Sequence, residues 1–308
     1  MKMRKQEHVM SYDVIVIGGS FAGQSAAMQL ARARRRVLVV DGGKPRNRFA
    51  ETSHGFLCQD GKAPATIIDE ASRQLAAYPT VTQMQGEAVQ ARRVKNQFSI
   101  SLADGRQTLA ARVVLAIGVR DELPDIAGIE KRWGKSVLHC PYCHGYEVAD
   151  RPLGVLARGQ TSVHQAQMIP DWGPTSYFTQ GRFEPDAEQA TQLTARGVTI
   201  VRSAIVELRG NAPDLEAVLL KDGTIVPLGA LFVAPKTHIA SPLAEQLGCA
   251  LDDGPTGPII RVDALQQTTV AGVFAAGDAA MPMANATLAS AAGVMAGVAA
   301  HRSLFMPI

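Results

Sequence analysis

The segment His139-Cys140-Pro141-Tyr142-Cys143-His144 places two cysteines with two residues between them and a histidine on either side. Sulfurs at that spacing can close a disulfide at a helix start, where the helix N-terminus lowers a thiol pKa toward the useful range. Thiol–disulfide exchange is the chemistry such a set can perform. The thiolate is the attacking species, so a neighbouring base with a pKa near neutrality accelerates the attack. His144 is the first candidate for that base and His139 the reserve.

Other uses of the same letters fit less well. A structural zinc site needs a second Cys-x-x-Cys or a distant histidine pair, and neither stands at usable spacing, so no metal is expected. The string Cys140-Pro-Tyr-Cys143-His144 also matches c-type haem attachment, which requires export and an axial partner. Two merely packed cysteines would not call for proline, an aromatic residue and two histidines. The remaining cysteines, in Gly55-Phe-Leu-Cys58 and Leu247-Gly-Cys249-Ala250, sit in apolar contexts and read as buried, inert thiols. His164 and His238 read as structural or surface histidines.

The elements that must position this chemistry are those of an α/β protein. Tyr12-Asp-Val-Ile-Val-Ile-Gly18 is a short β-branched apolar run ending at glycine, as a buried parallel strand should. A helix is expected over residues 22–34 and a second buried strand over 37–40, ending at Asp41. Strand, glycine turn, helix, strand and terminal acid form the first unit of a dinucleotide-binding fold. Its fingerprint, Gly18-Gly19-Ser20-Phe21-Ala22-Gly23, keeps the outer glycines of G-x-G-x-x-G and has Ser20 at the middle position. Gly18 permits the tight turn and Gly23 the close packing of helix on strand, while Ser20 is small enough for a pyrophosphate to approach the helix N-terminus. Asp41 is placed to accept hydrogen bonds from a ribose. A glycine turn that binds no nucleotide would look similar, but Asp41 and the later Gly277-Asp278 argue against it.

Val113-Val-Leu-Ala-Ile-Gly118 reads as another buried strand, and a crossover near residue 120 leads to a second strand–turn–helix beginning at Leu153-Gly-Val-Leu156. Its helix is expected over about 163–169, and Leu231-Phe-Val-Ala234 closes the unit. Near residue 240 the chain returns. Val273-Phe-Ala-Ala-Gly277-Asp278 is a strand ending in Gly-Asp, followed by a small-residue helix over about 286–301. The expected fold is α/β with two three-layer, Rossmann-like nucleotide-binding domains, the second inserted into the first: 1–120 and 241–308 form one, and 121–240, carrying the cysteine pair, the other.

Composition agrees with this class. The chain of 308 residues is longer than the roughly 100 to 200 of one domain, and its 46% hydrophobic content can fill two cores. Thirty-one basic against 28 acidic residues leave a net charge of only +3, with no nucleic-acid footprint or membrane-binding face. The basic run at 32–36 falls at a helix end, where cations complement the dipole. The basic start at 1–5 is followed by an apolar run too short for a signal peptide. Residues 286–300 fall short of the ~20 apolar residues of a membrane span. A cytoplasmic location is expected, and four cysteines are too few for a secreted disulfide framework at this length.

Ala271-Gly-Val-Phe-Ala-Ala-Gly277-Asp278 resembles the second flavin-binding motif of the pyridine nucleotide–disulfide oxidoreductases. With the first fingerprint and the cysteine pair in an inserted domain, the order of motifs is similar to that of the low-molecular-weight thioredoxin reductases over nearly the whole chain. Cys140-Pro-Tyr-Cys143-His144-Gly-Tyr-Glu147, with Asp41-Gly-Gly-Lys-Pro-Arg46-Asn47 and His54-Gly-Phe56, resembles more closely the FAD-dependent dithiol oxidases that close disulfides in gliotoxin, holomycin and romidepsin biosynthesis. The resemblance implies FAD as cofactor, bound by Gly18, Ser20, Gly23, Asp41, Gly118, Gly277, Asp278 and Thr287, with Asp278 on the ribityl chain. It also implies that the helix starting near Asn285-Ala-Thr287 aims its N-terminus at the flavin pyrimidine. By the same resemblance Cys140 faces substrate, Cys143 faces the flavin, His144 replaces the acid of the reductases, and the protein is a homodimer.

The chain departs from the reductases at the nicotinamide site. The turn Ala157-Arg158-Gly159-Gln160-Thr161-Ser162 lacks the first glycine, and the strand end Tyr177-Phe-Thr-Gln-Gly181 lacks the paired arginines that clamp a 2′-phosphate, although Arg182 is near. The expected reaction is therefore oxidation of a small dithiol, with O2 as acceptor and H2O2 as product. The alternatives are a thioredoxin reductase-like enzyme fed by NADPH or another donor such as ferredoxin, and a non-enzymatic flavin-binding sensor.

Overall fold

The computed structural model describes residues 11–159 and 161–306. The basic start at 1–5 and Gln160 of the second turn lie outside them. The chain divides into two compact units, one made of residues up to Arg46, Ala65–Arg120 and His238 onward, the other of Asn47–Pro64 and Asp121–Thr237. The chain thus passes from one unit to the other at four points.

The first unit starts with β1 (Ser11–Ile17), α1 (Phe21–Arg32) and β2 (Val37–Asp41). Every side chain from Val14 to Val16 and from Val37 to Leu38 is fully buried, which is why these runs are apolar without alternation. After α2 (Pro64–Ala76) come β3 (Val81–Gln85), β4 (Ala88–Val94), β5 (Gln97–Leu102) and β6 (Gln107–Leu115). These six strands run in the order β3-β2-β1-β6-β5-β4, and a seventh from the C-terminal part of the chain pairs with β6 to complete the sheet. Pairing is parallel from β3 to β6 and antiparallel through β5 and β4. β7 (Val119–Glu122) then carries the chain across the unit boundary.

The second unit contains β8 (Val137–Leu138), the short helix α3 (Pro141–His144), β9 (Leu153–Leu156), α4 (Thr161–Met168), β10 (Thr175–Phe178), α5 (Ala187–Ala195) and β11 (Thr199–Val201). The antiparallel strands β12 (Ile205–Arg209), β13 (Ala217–Leu220) and β14 (Ile225–Pro227) follow, then β15 (Ala230–Val233). Its main sheet is wholly parallel in the order β11-β10-β9-β15-β8. Tyr177, Phe178 and Phe232 are fully buried, and each such side chain contributes about 1.5–3 kcal/mol by leaving water. Asp186 and Gln189 form a reciprocal capping box that starts α5.

β16 (Lys236–Ile239) returns the chain to the first unit, where α6 (Leu243–Gln246), β17 (Leu251–Asp253), β18 (Pro258–Ile260), β19 (Val273–Ala275) and α7 (Ala286–Ser303) complete it. β19 pairs in parallel with the C-terminal half of β6. Gly293 and Gly297 let α7 lie directly on α1, since a Cβ at either would come within 2.1 Å of the Ala22 carbonyl oxygen or 2.5 Å of that of Ala26. Among the described residues no helix is long and apolar enough to cross a membrane.

Candidate active site

In the second unit, Cys140 stands in extended backbone as the N-cap of α3, and Pro141 occupies the first helical turn, where its missing N–H costs no bond. The chain then doubles back within one turn. Cys140 and Cys143 are joined in a disulfide with their Cα atoms 5.2 Å apart. Gln165 of α4 donates to the His139 carbonyl at 2.9 Å and so fixes the approach to Cys140 from β8. A Cβ at Gly145 would fall 2.6 Å from the Pro141 carbonyl and 2.8 Å from the Trp172 ring, so glycine lets Trp172 pack under the turn. The Tyr142 ring meets Trp172 edge-on, with centroids 5.7 Å apart, and remains largely exposed.

His144 closes α3. Burial pushes its pKa below the ordinary value of 6.5, the Glu147 carboxylate opposes that shift, and His54 reinforces it. His54 belongs to the 47–64 segment, which packs with this unit although it is far away in sequence. Among the contacts that hold the segment are the Glu51–Lys135 ion pair, and Phe49 against Gly134, where a Cβ would come within 2.7 Å of the Phe49 Cβ. The His54 Nε2 lies 3.4 Å from Glu147 Oε1 and 2.9 Å from Thr52 Oγ1, and Nδ1 lies 3.7 Å from Asp60 Oδ1. The sequence shows His54 only as part of a family-like string. Nothing in its spacing from Cys143 announces that His54 meets Glu147, the carboxylate that opposes the shift of His144.

In the first unit the glycine fingerprint forms a tight backbone turn between strand and helix. Gly18 has φ +106°, and a Cβ there would lie 2.1 Å from the Ala116 carbonyl oxygen. A Cβ at Gly23 would lie 1.7 Å from the Gly18 carbonyl oxygen, so strand and helix touch backbone to backbone. Ser20 is the N-cap of α1, and its side chain makes no capping bond, so the helix start is open to an anion. Asp41, at the end of β2, accepts from the Gly19 N–H at 3.0 Å and stands at the ribose position of such a fold. These features fit a dinucleotide.

Further along the same unit, Gly118 has φ +63° and accepts from the Ala240 N–H at 3.1 Å. Gly277 has φ +76° and packs on Ala22. Asp278 is held at 3.0 Å by the Arg46 guanidinium, a pairing the sequence did not show. The start of α7 is capped by Asn285, whose Oδ1 accepts from the Thr287 N–H at 2.8 Å and the Leu288 N–H at 3.2 Å. A flavin carbonyl at this helix start would therefore share its donors with Asn285.

The corresponding turn of the second unit is filled from within. Ser162, wholly buried, accepts from the Arg158 N–H at 3.0 Å and the Gly159 N–H at 3.4 Å. Arg158 itself points toward Glu122, at 3.9 Å. Beyond β10, Thr179 donates to Glu184 at 2.9 Å, and Arg202 binds the other oxygen of that carboxylate, so an acid occupies this strand end. Tyr177 is buried with its hydroxyl donating to the Phe183 carbonyl, and burial pushes its pKa up to about 12.

Cys58 corrects the sequence reading. It is exposed, with φ +63°, because Gly55-Phe-Leu-Cys58 lies in a loop, where apolar neighbours do not imply a core position. Cys249 is buried as expected; burial pushes its thiol pKa up, and its sulfur lies 3.6 Å from the Thr268 hydroxyl. His164 is exposed on α4, and His238 is half-buried on β16.

Known proteins give the context for both halves. The profile of the pyridine nucleotide-disulphide oxidoreductase family matches residues 12–293. Thioredoxin reductase tcpT of Claviceps purpurea is 30% identical, over 95% of this chain and 94% of its own. The crystal structure of an oxidoreductase from Agrobacterium tumefaciens superposes with a TM-score of 0.93 at 49% identity, covering 97% of this chain and 100% of that one. The crystal structure of HlmI gives a TM-score of 0.88 at 36% identity, covering 97% and 93%. With its two Rossmann-like units, its glycine cradle and its cysteine pair, the chain belongs to the pyridine nucleotide-disulphide oxidoreductase family and is an oxidoreductase of the thioredoxin reductase-like kind.

Proposed function

We propose that the protein is an FAD-dependent dithiol oxidase that closes a disulfide in a small dithiol, independently of NADP, with O2 as electron acceptor and H2O2 as product. The observation that carries the choice of oxidase over reductase is the second turn, where Ser162 takes the Arg158 and Gly159 N–H groups that a pyrophosphate would need. The acid at the end of β10, in place of an arginine clamp, argues the same way against a 2′-phosphate.

Gly18, Ser20, Gly23 and Asp41 would hold the adenosine diphosphate half of FAD, and Gly118, Gly277, Asp278 and Thr287 the flavin half. Bound there, the flavin supplies the two-electron acceptor that returns the cysteine pair to its disulfide and a centre that oxygen can reoxidise. The exchange itself belongs to the chain. A substrate thiol gives its proton to His144, and the thiolate attacks the Cys140 sulfur, breaking the Cys140–Cys143 bond and releasing Cys143 as thiolate. The second substrate thiol gives its proton to the Cys143 thiolate and, as thiolate, attacks the substrate sulfur of the mixed disulfide. That closes the substrate disulfide and expels Cys140 as thiolate, so two electrons pass from substrate to the enzyme dithiol. His139 is the second candidate for moving these protons.

Oxygen uptake with dithiothreitol, peroxide formation, and anaerobic bleaching of a yellow protein by the same dithiol test the reading together. Rapid bleaching by NADPH with negligible oxygen-linked dithiol turnover would instead establish a reductase. A protein that takes up no FAD would remove the cofactor from the reading.

A further inference from the structure

We propose that His54 and Glu147 are positioning residues for His144: His54, held against Glu147, shares that carboxylate and keeps the His144 imidazole available to take a proton from an incoming thiol. The inference rests on the proposed exchange at Cys140 and Cys143, and it adds a role for two residues outside the cysteine motif's own chemistry.

Its foundation is geometric. The 47–64 segment is anchored at Glu51 and Phe49, and these contacts deliver His54 to the turn that follows α3. The His54 side chain is only 20% exposed and lies near three oxygens: Thr52 Oγ1 at 2.9 Å, Glu147 Oε1 at 3.4 Å and Asp60 Oδ1 at 3.7 Å. Asp60 is itself fixed, because its carboxylate accepts from the Gly55 N–H at 2.8 Å. A surface histidine serving only solubility would not be enclosed in this way.

The electrostatics run in the same direction. Glu147, from the turn at Tyr146–Val148, favours the His144 imidazolium, and His54, from the segment, disfavours it. With His54 in place, part of the Glu147 charge is engaged by the His54 ring at 3.4 Å, and burial then keeps His144 neutral. Without His54, the carboxylate is free to hold a proton on His144, which is then a poorer acceptor for the thiol proton. Without Glu147, the imidazolium formed after proton transfer loses its counter-charge. The proton taken up by His144 returns to a thiolate released in the exchange, so no further reactant is needed.

The test is the titration of the His144 ring in full-length, flavin-loaded, oxidised protein, followed by NMR of ring-labelled histidine and assigned by the signal lost in His144→Gln. His54→Gln should move the midpoint to higher pH and Glu147→Gln to lower pH. The acid limb of kcat/KM for dithiothreitol should move with each. Thr52→Ala, a milder change, should move both in the direction of His54→Gln if His54→Gln folds poorly. Midpoints that stay in place, or that move without the acid limb following, overturn the proposal. Absence of dithiol turnover in the unaltered protein would refute the oxidase reading, and the opposite displacements of the NMR midpoints would still decide whether the three residues are coupled.

Discussion

The two strand–turn–helix units share one topology and put their turns to different uses. After β1 the turn is all backbone, with Gly18 and Gly23 in positions that no side chain could enter and an uncapped helix start at Ser20. After β9 the turn carries an arginine, and its N–H groups are bound by the hydroxyl of Ser162. The first arrangement leaves donors for a ligand, and the second spends them on its own stability. On the proposed function, one Rossmann unit serves as a cofactor cradle and the other as a frame that holds a cysteine pair.

The largest expected effect separates the two roles. Cys140→Ser or Cys143→Ser should abolish dithiol turnover while the flavin absorbance of the first unit persists; Cys58→Ser and Cys249→Ser should leave turnover intact. Residual turnover near the normal rate in either of the first two would break the division of labour. Next comes His144→Ala, with a loss of about a hundredfold to ten-thousandfold, as general acid–base groups usually contribute.

The pH dependence follows from the sign of the His144 shift. Its pKa is lowered in the folded protein, by burial first, so the imidazole is neutral near pH 7, and turnover should fall only as the pH drops through that lowered value. A depressed pKa also means that the unfolded chain binds more protons below about 6.5. Thermal stability should therefore fall on acidification through that window, and less so in His144→Gln, as calorimetry against pH would show.

Glycine substitutions compare the two turns directly. Gly18→Ala adds a Cβ to a strained, occupied position and should cost at least about 3 kcal/mol and the flavin with it. Gly159→Ala, where a Cβ would meet nothing within 4 Å, should change neither melting temperature nor flavin content. Equal effects would mean that the turns are not specialised. The smallest effect is that of Ser162→Ala, which leaves two N–H groups without their acceptor: about 1 kcal/mol, seen as a lower melting temperature with normal flavin content.

Much of this was legible in the residues. Period-free apolar runs between glycines gave the parallel strands, since a strand covered on both faces has no polar side to alternate with. The fingerprint at Gly18–Gly23, the acid at the end of β2 and the Cys140/Cys143 spacing were legible because each is a local requirement of backbone geometry or bond length. The helix over 22–34 begins and ends within two residues of α1.

The apolar string around Cys58 gave the wrong burial because composition does not say which side of a loop meets a core. The Arg46–Asp278 pair, the Asn285 cap across the donors at Thr287, and the Ser162 bonds that fill the second turn were also hidden: each depends on a side-chain direction that the sequence does not encode. Most of all, the sequence determined that a thiol pair and a candidate base stand together at 140–144, since neighbours in the chain cannot be far apart. Only the tertiary structure decided that His54 meets Glu147 just beyond them, because contacts over some ninety residues are set by how the 47–64 segment packs within the second unit.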